Sequence, residues 1–403
     1  MIIFDELANP EMWRRFYEHK TQKAEVLQER YVGLLDFIKA QKYLAYADAL
    51  KNGVRFSAPK KMLVNKSGVG RKRTVYTYTE EENYLLGMIA FLLKRYDHIF
   101  APNLYSFRVH KTAKMAFSRL RYGMCTPGKY VCRLDLSSYF NSIDPRKLLV
   151  QLKNVLTDDL PLYDFLEALL LDDTVVFEGE VIQEKKGAIP GAAVSSFFAN
   201  LYLSDMDHFF YDAGVEYIRY SDDILVMADS AQELEGHRSV IYDFLEERGL
   251  AVNPEKEKIY PPNSKLEFLG FSYHNGQVDI CEVSLKKIKA KIRRKTRALK
   301  RWADKKDLPG EYAAKALIKR FNQKFYCNPV YNELTWARWY FPVINTAKSL
   351  EIIDRYEVEC IRYLLSGTHT KGKYAFTYEK VKELGFRSLV NEYYKFKAAA
   401  DTT

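Results

Sequence analysis

The clearest pattern of apolar and polar positions lies near the middle of the chain. Two β-forming stretches, 216–220 and 224–228, enclose the polar triplet Ser221-Asp222-Asp223. Short runs of β-forming residues separated by turn-forming residues are typical of a β-hairpin. The pattern therefore predicts two antiparallel strands with adjacent carboxylates at the turn that connects them.

A further strand-like run occurs upstream, at Lys129–Leu136, and it carries Asp135 near its carboxyl end. The polar residues that follow indicate a turn, and Asp144-Pro145 has the pattern of a helix start. If this strand and the hairpin are neighbours in one sheet, Asp135 comes close to the acids of the turn.

Apolar residues at helical spacing occur on both sides of this region. They predict helices in residues 1–55, an amphipathic helix over Glu80–His98 and a helix near Leu160–Leu171. The segment Val175–Ile182 indicates a second hairpin. From residue 276 onward the chain is mainly helical and rich in aromatic residues. Strands in the middle and helices at both ends favour an α+β fold.

The charge balance changes this picture. The chain has 403 residues, of which 47% are apolar, and a formal net charge of +10, which favours a polyanionic partner.

Five scattered cysteines without a Cys-x-x-Cys pair predict thiols in a reducing cytoplasm. Seven histidines show no ligand spacing, so no structural zinc is expected. No signal-peptide pattern or apolar run of about twenty residues appears, so secretion and membrane spanning are not expected.

Much of the positive charge lies in one segment, 286–301, which holds ten lysines and arginines and no acid. Its apolar residues recur at helical spacing, at Leu285, Ile288, Ile292, Leu299 and Trp302. A solvated basic face is one interpretation. We favour a face that contacts phosphates, because so many uncompensated cations repel one another strongly. The residues expected to contact nucleic acid are Lys287, Lys291, Arg294, Arg297 and Arg301.

The acidic turn favours metal chemistry. Two like charges left unpaired beside buried strands are costly unless a cation neutralises them. Mg²⁺ prefers carboxylate oxygens, and two such ions can hold both oxygens of an in-line phosphoryl displacement. For an isolated Asp-Asp pair between strands an ordinary turn is the commoner explanation. The other motifs of this chain favour the metal site instead.

Motifs spread over residues 60–275 occur in the order found in reverse transcriptases, and the sequence resembles the bacterial members of that family. Asp135 matches the first catalytic motif of the palm, and Asp222-Asp223 matches the second. The other matching segments are Arg71–Thr74 and Tyr105–Arg108 in the fingers, Ile189–Leu203 in the helix that supports template and nucleotide, Gly249–Lys256 in the next palm motif and Leu266–Phe271 in the primer grip.

The resemblance implies an α+β right-hand polymerase with a ferredoxin-like antiparallel palm sheet. The implied divisions are an N-terminal helical extension (1–55), fingers (56–129), a palm (130–275, with a fingers insertion at about 150–188) and a helical thumb with a C-terminal RNA-binding region (276–403). The basic segment then falls where a thumb lies against the duplex.

The resemblance also implies a metal site. Asp135 and Asp222 are expected to bridge two Mg²⁺ ions, or Mn²⁺ in their place. Asp223 is expected to be supportive, because neighbouring residues of a tight turn point in different directions. The backbone carbonyl of Leu136 is another candidate ligand.

Nucleotide contacts are implied in the same way. Lys66 and Arg73 are the candidates for the incoming triphosphate, although Arg71 or Lys72 could substitute. Lys256 either protonates the pyrophosphate or is an ordinary surface lysine.

The expected choice of sugar depends on Phe140. This residue matches the aromatic position that lies under the sugar ring in reverse transcriptases and excludes a 2′-hydroxyl, so dNTPs are the expected substrates. An ordinary core phenylalanine is the alternative.

One motif departs from the family. Many reverse transcriptases carry Pro-Gln-Gly where this chain has Ile189-Pro190-Gly191, so Pro190 stands at the glutamine position. Proline offers neither a side-chain hydrogen bond nor an N–H. The contact of Pro190 and Gly191 with the nucleotide or template base is therefore expected to differ.

Among reverse transcriptases the chain most resembles the defence-associated bacterial groups, followed by retron and group II intron enzymes. That likeness implies synthesis of a DNA product from dNTPs on an RNA template, with a dedicated non-coding RNA, during phage infection. A homo-oligomer and a second protein subunit both stay open. Two other functions also stay open: a template-independent or protein-primed DNA polymerase, which Pro190 motivates, and a maturase-like RNA-binding protein, against which the three intact acids argue.

Overall fold

The computed structural model describes residues 2–21, 31–65, 72–120, 128–326 and 335–401. The chain divides into two compact units, Met1–Asn263 and Ser264–Thr403.

The first unit combines helices with two four-stranded sheets. Its strands are β1 (Lys60–Asn65), β2 (Lys72–Thr77), β3 (Tyr130–Asp135), β4 (Thr174–Phe177), β5 (Glu180–Gln183), β6 (Tyr217–Tyr220), β7 (Asp223–Ala228) and β8 (Lys258–Tyr260). Its α-helices are α1 (Ile3–Glu6), α2 (Pro10–Thr21), α3 (Val32–Lys39), α4 (Lys42–Lys51), α5 (Glu80–Leu92), α6 (Ala113–Arg119), α7 (Tyr139–Ser142), α8 (Pro145–Val155), α9 (Leu160–Leu171), α10 (Ser195–Tyr202), α11 (Ser204–Asp212) and α12 (Ala231–Glu247).

One sheet of this unit is antiparallel throughout, with the strand order β6-β7-β3-β8. Along the chain, helices separate β3 from β6 and α12 separates β7 from β8, which gives the ferredoxin-like arrangement. The predicted α+β fold with an antiparallel sheet is confirmed. The predicted hairpin is β6 and β7, and the central position of β7 explains why nearly all its residues are buried.

Buried apolar side chains join this sheet to its helices. Leu134, Ile224 and Val226 of the sheet belong to one core with Phe198 of α10 and Met206 of α11. Each fully buried side chain of this kind contributes about 2 kcal/mol to the stability of the fold.

The other sheet has the order β2-β1-β4-β5. β1 and β2 form an antiparallel hairpin, and β4 joins β1 in parallel at the pair Lys60 and Val176. The predicted second hairpin is β4 and β5, and the helix predicted near Leu160–Leu171 is α9.

The helix predicted over Glu80–His98 is shorter than expected. It begins after a capping box formed by Thr79 and Glu82, but its α-helical part ends at Leu92. Residues Leu93–Ile99 continue as a 3₁₀ helix, the tighter form that is frequent at the ends of α-helices.

The second unit consists of a small sheet followed by helices. Its strands are β9 (Leu266–Phe268), β10 (Phe271–His274) and β11 (Gln277–Ile280), in the sheet order β11-β10-β9. Its α-helices are α13 (Glu282–Lys305), α14 (Gly310–Tyr326), α15 (Trp336–Tyr340), α16 (Lys348–Ser366), α17 (Tyr378–Glu383) and α18 (Leu389–Asp401), with a 3₁₀ helix at Lys371–Ala375.

The long basic helix α13 packs against α14 and α16 through one narrow stripe. The buried residues of that stripe are Ile288, Ile292, Thr296, Leu299 and Ala303. The prediction that Trp302 belongs to the stripe is wrong, because Trp302 is exposed. The helix returns to its buried face at Ala303, four residues after Leu299, rather than at Trp302, three residues after it.

Cys132, Cys281 and Cys360 are free thiols, and Cys125 and Cys327 lie outside the described residues. Of the helices in the described ranges, none has the length and apolar character needed to cross a bilayer.

Candidate active site

The sheet of the first unit brings the three predicted acids together. Asp135, the last residue of β3, is the direct cross-strand partner of Asp223, the first residue of β7. The Leu136 N–H then donates to the Asp222 carbonyl over 3.0 Å, which ties the end of β3 to the turn. Directly opposed residues of an antiparallel pair have Cβ atoms about 5 Å apart. The acids therefore form one cluster at one end of the sheet.

Hydrogen bonds to a segment that is distant in sequence hold the acidic turn in place. Ser221 has a φ of 61°, in the left-handed region, and its N–H donates to the Ser106 hydroxyl over 2.8 Å. Ser106 in turn contacts Asn200 of α10 twice, through its hydroxyl at 3.2 Å and through its carbonyl at 2.8 Å. All three residues are buried, so this network restricts where Asp222 can lie.

A buried ion pair supports the same hairpin. Arg219 of β6 donates from Nε to Asp207 of α11 over 2.7 Å, and its Nη2 donates to the Asn200 carbonyl over 3.0 Å. Tyr217 adds a hydrogen bond to the same carboxylate at 3.0 Å. Burial raises the pKa of Asp207, and the guanidinium opposes that rise. Removing one partner from such a pair costs about 3–5 kcal/mol, because the other charge is left buried and uncompensated.

Two of the three acids face a cation of the chain. Arg133 lies two residues before Asp135 on the same face of β3, and its Nη2 is 2.8 Å from Asp223 Oδ1. The Lys256 ammonium contacts Asp135 Oδ1, although about half of the lysine side chain is exposed. The loop that carries Lys256 is tied to β3 by the Asn253 N–H, which donates to the Asp135 carbonyl over 2.7 Å.

Asp222 has a different environment. Among the described residues no lysine or arginine forms an ion pair with it, although Lys256 exerts some attraction. Burial raises the pKa of Asp222, and the carboxylates of Asp223 and Asp135 raise it further. Burial also raises the pKa of Asp223, while Arg133 opposes the rise. A bound cation would relieve both the burial cost and the mutual repulsion of these carboxylates.

The chemistry of the donors suits a hard divalent cation, since all three are carboxylates. Within the described ranges, however, no three acidic, histidine or cysteine side chains are already gathered closely enough to hold a metal ion. The contacts of Asp135 with Lys256 and of Asp223 with Arg133 explain this spacing. The residues fit a divalent ion in type and backbone location, and their side chains would have to rotate to hold one.

Phe140, the predicted sugar contact, lies in α7 and is partly buried. Its ring packs edge-to-face on Phe107, with 6.3 Å between centroids. Its carbonyl accepts a hydrogen bond from the Ala188 N–H at 2.8 Å, which links it to the segment that leads to Pro190.

Pro190 and Gly191 contact β2. The buried Pro190 accepts a hydrogen bond from the Tyr76 N–H at 2.7 Å. Gly191 has a φ of 111°, and a Cβ added there would lie 2.5 Å from the Tyr76 carbonyl oxygen. Only glycine fits this close approach of two backbones. The two residues thus have a structural role, and their contact with a nucleotide stays a prediction.

The candidates for the triphosphate are only partly described. Lys66 and Arg71 lie outside the described residues, whereas Arg73 is exposed on β2, where it pairs with Val64 of β1. Contact of Arg73 with a nucleotide stays a prediction.

Comparison with known proteins identifies the family. The family model described as "Reverse transcriptase (RNA-dependent DNA polymerase)" matches residues 64–273, just over half of the chain. The chain belongs to the reverse transcriptase family. Membership implies dependence on a divalent metal ion, and the matched segment contains all three acids and Lys256.

Individual relatives of this reverse transcriptase are more distant. The Retron Ec86 reverse transcriptase of Escherichia coli is 30% identical over 112 residues, which is 27% of this chain and 35% of that protein. The match thus spans about a third of the length of the curated relative. Apo telomerase from Candida tropicalis aligns with 82% of this chain and 69% of its own, at 13% identity and a TM-score of 0.46. A truncated form of it aligns at 15% identity over 56% of this chain and 55% of its own, with a TM-score of 0.43.

The basic helix α13 of this reverse transcriptase lies beyond the segment that the family model matches. Four of its predicted nucleic-acid contacts are exposed, and Lys291 is half-buried; the exposed ones are Lys287, Arg294, Arg297 and Arg301. Burial lowers the pKa of Lys324 on α14, and Lys291 and Arg320 lower it further, so the cations of two helices adjoin. Contact with nucleic acid stays a prediction.

The supporting contacts of several residues around the acidic turn were missed by sequence reasoning; these residues are Ser106, Arg133, Asn200, Asp207 and Arg219. The sequence did contain a signal that Arg133 and Arg219 form ion pairs, since a charged residue inside a buried strand needs a partner. Ser106 and Asn200 lie within the matching segments Tyr105–Arg108 and Ile189–Leu203, but their roles depend on contacts between distant segments that the sequence does not show.

Proposed function

We propose that this reverse transcriptase is an active RNA-directed DNA polymerase, which adds dNTPs to the 3′-hydroxyl of a primer. The observation that supports this most directly is the cluster of Asp135, Asp222 and Asp223 at one end of the antiparallel sheet. Phosphoryl transfer relies mainly on positioning and charge stabilisation, which such a cluster with its ions can supply.

Asp135 and Asp222 would be the principal protein ligands of two Mg²⁺ ions, or of Mn²⁺ in their place. When bound, such ions would supply stabilisation of the charge that develops during phosphoryl transfer. The Arg133 contact keeps Asp223 in a supporting position. The Leu136 carbonyl is a further candidate ligand, and Lys256 is the candidate proton donor to the leaving pyrophosphate.

The nucleotide and the template–primer duplex have separate contacts in this proposal. Phe140 excludes the 2′-hydroxyl, so dNTPs are the substrates, and Lys66 and Arg73 bind the triphosphate. Pro190 and Gly191 contribute backbone rather than side-chain contacts. The exposed cations of α13 contact phosphates of the duplex.

The template is a dedicated non-coding RNA, and the biological role is defence against phage in the cytoplasm. The likeness to a protein named as a retron reverse transcriptase supports the first part of this proposal. Sequencing the RNA and DNA that copurify with the protein from cells checks both parts. One enriched RNA with DNA complementary to it is the expected result, and an unselected mixture of cellular RNAs would contradict a dedicated template.

Primer extension on a defined RNA tests the polymerase proposal. Purified protein, a primer annealed to the RNA, dNTPs and Mg²⁺ should give DNA complementary to the template. A second RNA of permuted sequence is the control, because the product must change with it. No incorporation of dNTPs with either Mg²⁺ or Mn²⁺ would contradict the proposal.

Pro190 favours a second candidate, a template-independent or protein-primed polymerase, because its side chain offers no hydrogen bond and its carbonyl already accepts one from Tyr76. A product with the same irregular or homopolymeric sequence on both RNAs would support template independence. DNA attached covalently to a tyrosine, serine or threonine would establish protein priming.

A further inference from the structure

The first unit contains a cavity of about 540 Å³ that is separate from the acidic cluster. It lies among α1, α4, α9 and the segment between α4 and β1. None of the three acids, Arg73, Phe140 or Lys256 lines it. Its volume falls in the range of roughly 300–1,000 Å³ that is typical of small-ligand sites.

Aromatic side chains form much of the cavity wall. Phe4, Phe56, Tyr78 and Phe165 all line it. The Phe56 ring meets those of Phe165 and Tyr78 edge-to-face, with centroids 5.1 Å and 5.9 Å apart. Such walls suit a flat heteroaromatic ring, which can stack on them.

Three acids line the cavity; Asp5 and Asp164 are exposed, whereas Asp172 is half-buried. Asp172 lines the cavity and is oriented by the Thr174 N–H, which donates to its Oδ1 over 2.9 Å. Burial opposes its ionisation, but the Thr174 N–H, Lys186 and Arg55 together hold the pKa of Asp172 below its usual value. Asp172 is therefore an ionised hydrogen-bond acceptor.

Two buried polar atoms near this carboxylate have no hydrogen-bond partner among the described residues. They are the hydroxyl of Tyr78, a lining residue, and the ammonium of Lys186, which is 4.0 Å from Asp172 Oδ2. Unsatisfied buried polar groups are rare and frequently mark a site that a ligand or water completes. The exposed Arg55 also lines the cavity and adds a cation.

We propose that this cavity binds a guanine nucleotide, with the base stacked against the Phe56–Phe165 pair, its Watson–Crick edge on Asp172 and its phosphate on Arg55. Guanine presents adjacent N1–H and N2–H donors, which one carboxylate can accept together. Adenine presents a single donor group beside an acceptor nitrogen that a carboxylate repels. The site is thus selective for guanine, and it is independent of the proposed polymerase activity.

Isothermal titration of the full chain with GMP in EDTA tests this proposal, because removing divalent ions separates the cavity from metal-dependent nucleotide binding at the acids. Saturable binding of one GMP per chain is expected, and AMP should bind about tenfold more weakly or worse, since a mismatched polar edge leaves groups unpaired. Absence of saturable GMP binding, or equal binding of AMP, would overturn the proposal.

Two variants locate the binding. Asp172→Asn should weaken GMP binding about tenfold, because one of two acceptors and the charge are lost. Asp173→Asn is the matched control, since this adjacent acid does not line the cavity, and it should bind like the wild type. If Asp172→Asn fails to fold, Phe165→Leu, which keeps an apolar side chain but removes the stacking face, serves instead. Wild-type affinity in whichever of these two variants folds would overturn the proposal.

Discussion

At the scale of single residues, the site depends on side chains that carry no catalytic chemistry. Ser221 holds a left-handed backbone conformation in the acidic turn, and the Ser106 hydroxyl accepts its N–H. Strained conformations persist only where the surroundings stabilise them. The position of Asp222 is thus set partly by Ser106, which lies 115 residues before Ser221 in sequence.

Ser106→Ala should lower kcat more than it changes KM, because the acidic turn loses its support. It should also destabilise the protein by about 1–3 kcal/mol, the cost of an unsatisfied buried N–H. Steady-state primer extension and thermal unfolding measure the two effects.

Ser230→Ala is the matched control for that variant. Ser230 caps α12 by accepting the Glu233 N–H at 3.1 Å, and losing such a cap costs about 1 kcal/mol. If both variants lose the same fraction of kcat, the effect is one of stability alone and the positioning role of Ser106 is wrong.

Phe140→Ala should admit ribonucleotides, with a rise of roughly 10- to 100-fold in the rNTP-to-dNTP ratio of kcat/KM, because steric exclusion of a hydroxyl is lost. Phe107→Ala is the control, since that ring contacts Phe140 but is exposed. Unchanged discrimination in Phe140→Ala would contradict the assignment of Phe140 to the sugar.

The order of the sequence motifs was sufficient to predict that Asp135, Asp222 and Asp223 lie close together, because it identified the strand end and the turn that pair in one sheet. It could not predict the contacts that orient them. The Arg133–Asp223 pair needs the register of β3 and β7, and the Ser106–Asn200 contacts need the packing of distant segments. The pairing of Lys256 with Asp135 also depends on a loop held by the backbone of β3.

At the scale of whole elements, the periodicity of apolar residues predicted the types of the helices and strands better than their boundaries. The hairpins and α9 agree with their patterns, whereas the α-helix from Glu80 ends early and α13 buries Ala303 rather than Trp302. Strand order had no sequence signal of its own, since it depends on long-range pairing.

The segment before α10 offers an element-scale prediction. Gly191→Ala should destabilise the protein by more than about 2 kcal/mol, since it adds a clash with the Tyr76 backbone to a positive φ. Gly236→Ala in α12, where no atom lies within 4 Å of the added Cβ, should instead stabilise by about 1 kcal/mol. Urea unfolding compares them, and equal stability would contradict the observed approach of Gly191 to β2.

The basic face of α13 gives a second prediction at the scale of whole elements. Arg294→Ala should weaken binding to an RNA–DNA duplex and reduce the salt dependence by roughly one unit of slope, as expected for one lost phosphate contact. Lys315→Ala on α14 is the control, because that exposed lysine pairs with Glu311 instead. Identical slopes for Arg294→Ala and the wild type would rule out a phosphate contact at Arg294.

At the scale of the whole molecule, the structure has two compact units, and the family match extends from residue 64 in the first to residue 273 in the second. The motif order predicted the family correctly, because it samples several distant segments at once. The subdomain boundaries, the oligomeric state and the RNA partner stay predictions, and the last two depend on contacts beyond the chain itself.

The central claim is that the clustered acids perform metal-dependent DNA synthesis, and single-turnover primer extension of two variants tests it most directly. Asp222→Asn should reduce the Mg²⁺-dependent rate by roughly 10³-fold or more, since charge stabilisation worth several kcal/mol is lost. Asp229→Asn, at an exposed acid just beyond β7 that pairs with Lys129, should retain the wild-type rate. A rate for Asp222→Asn within a few-fold of that for Asp229→Asn would contradict the claim.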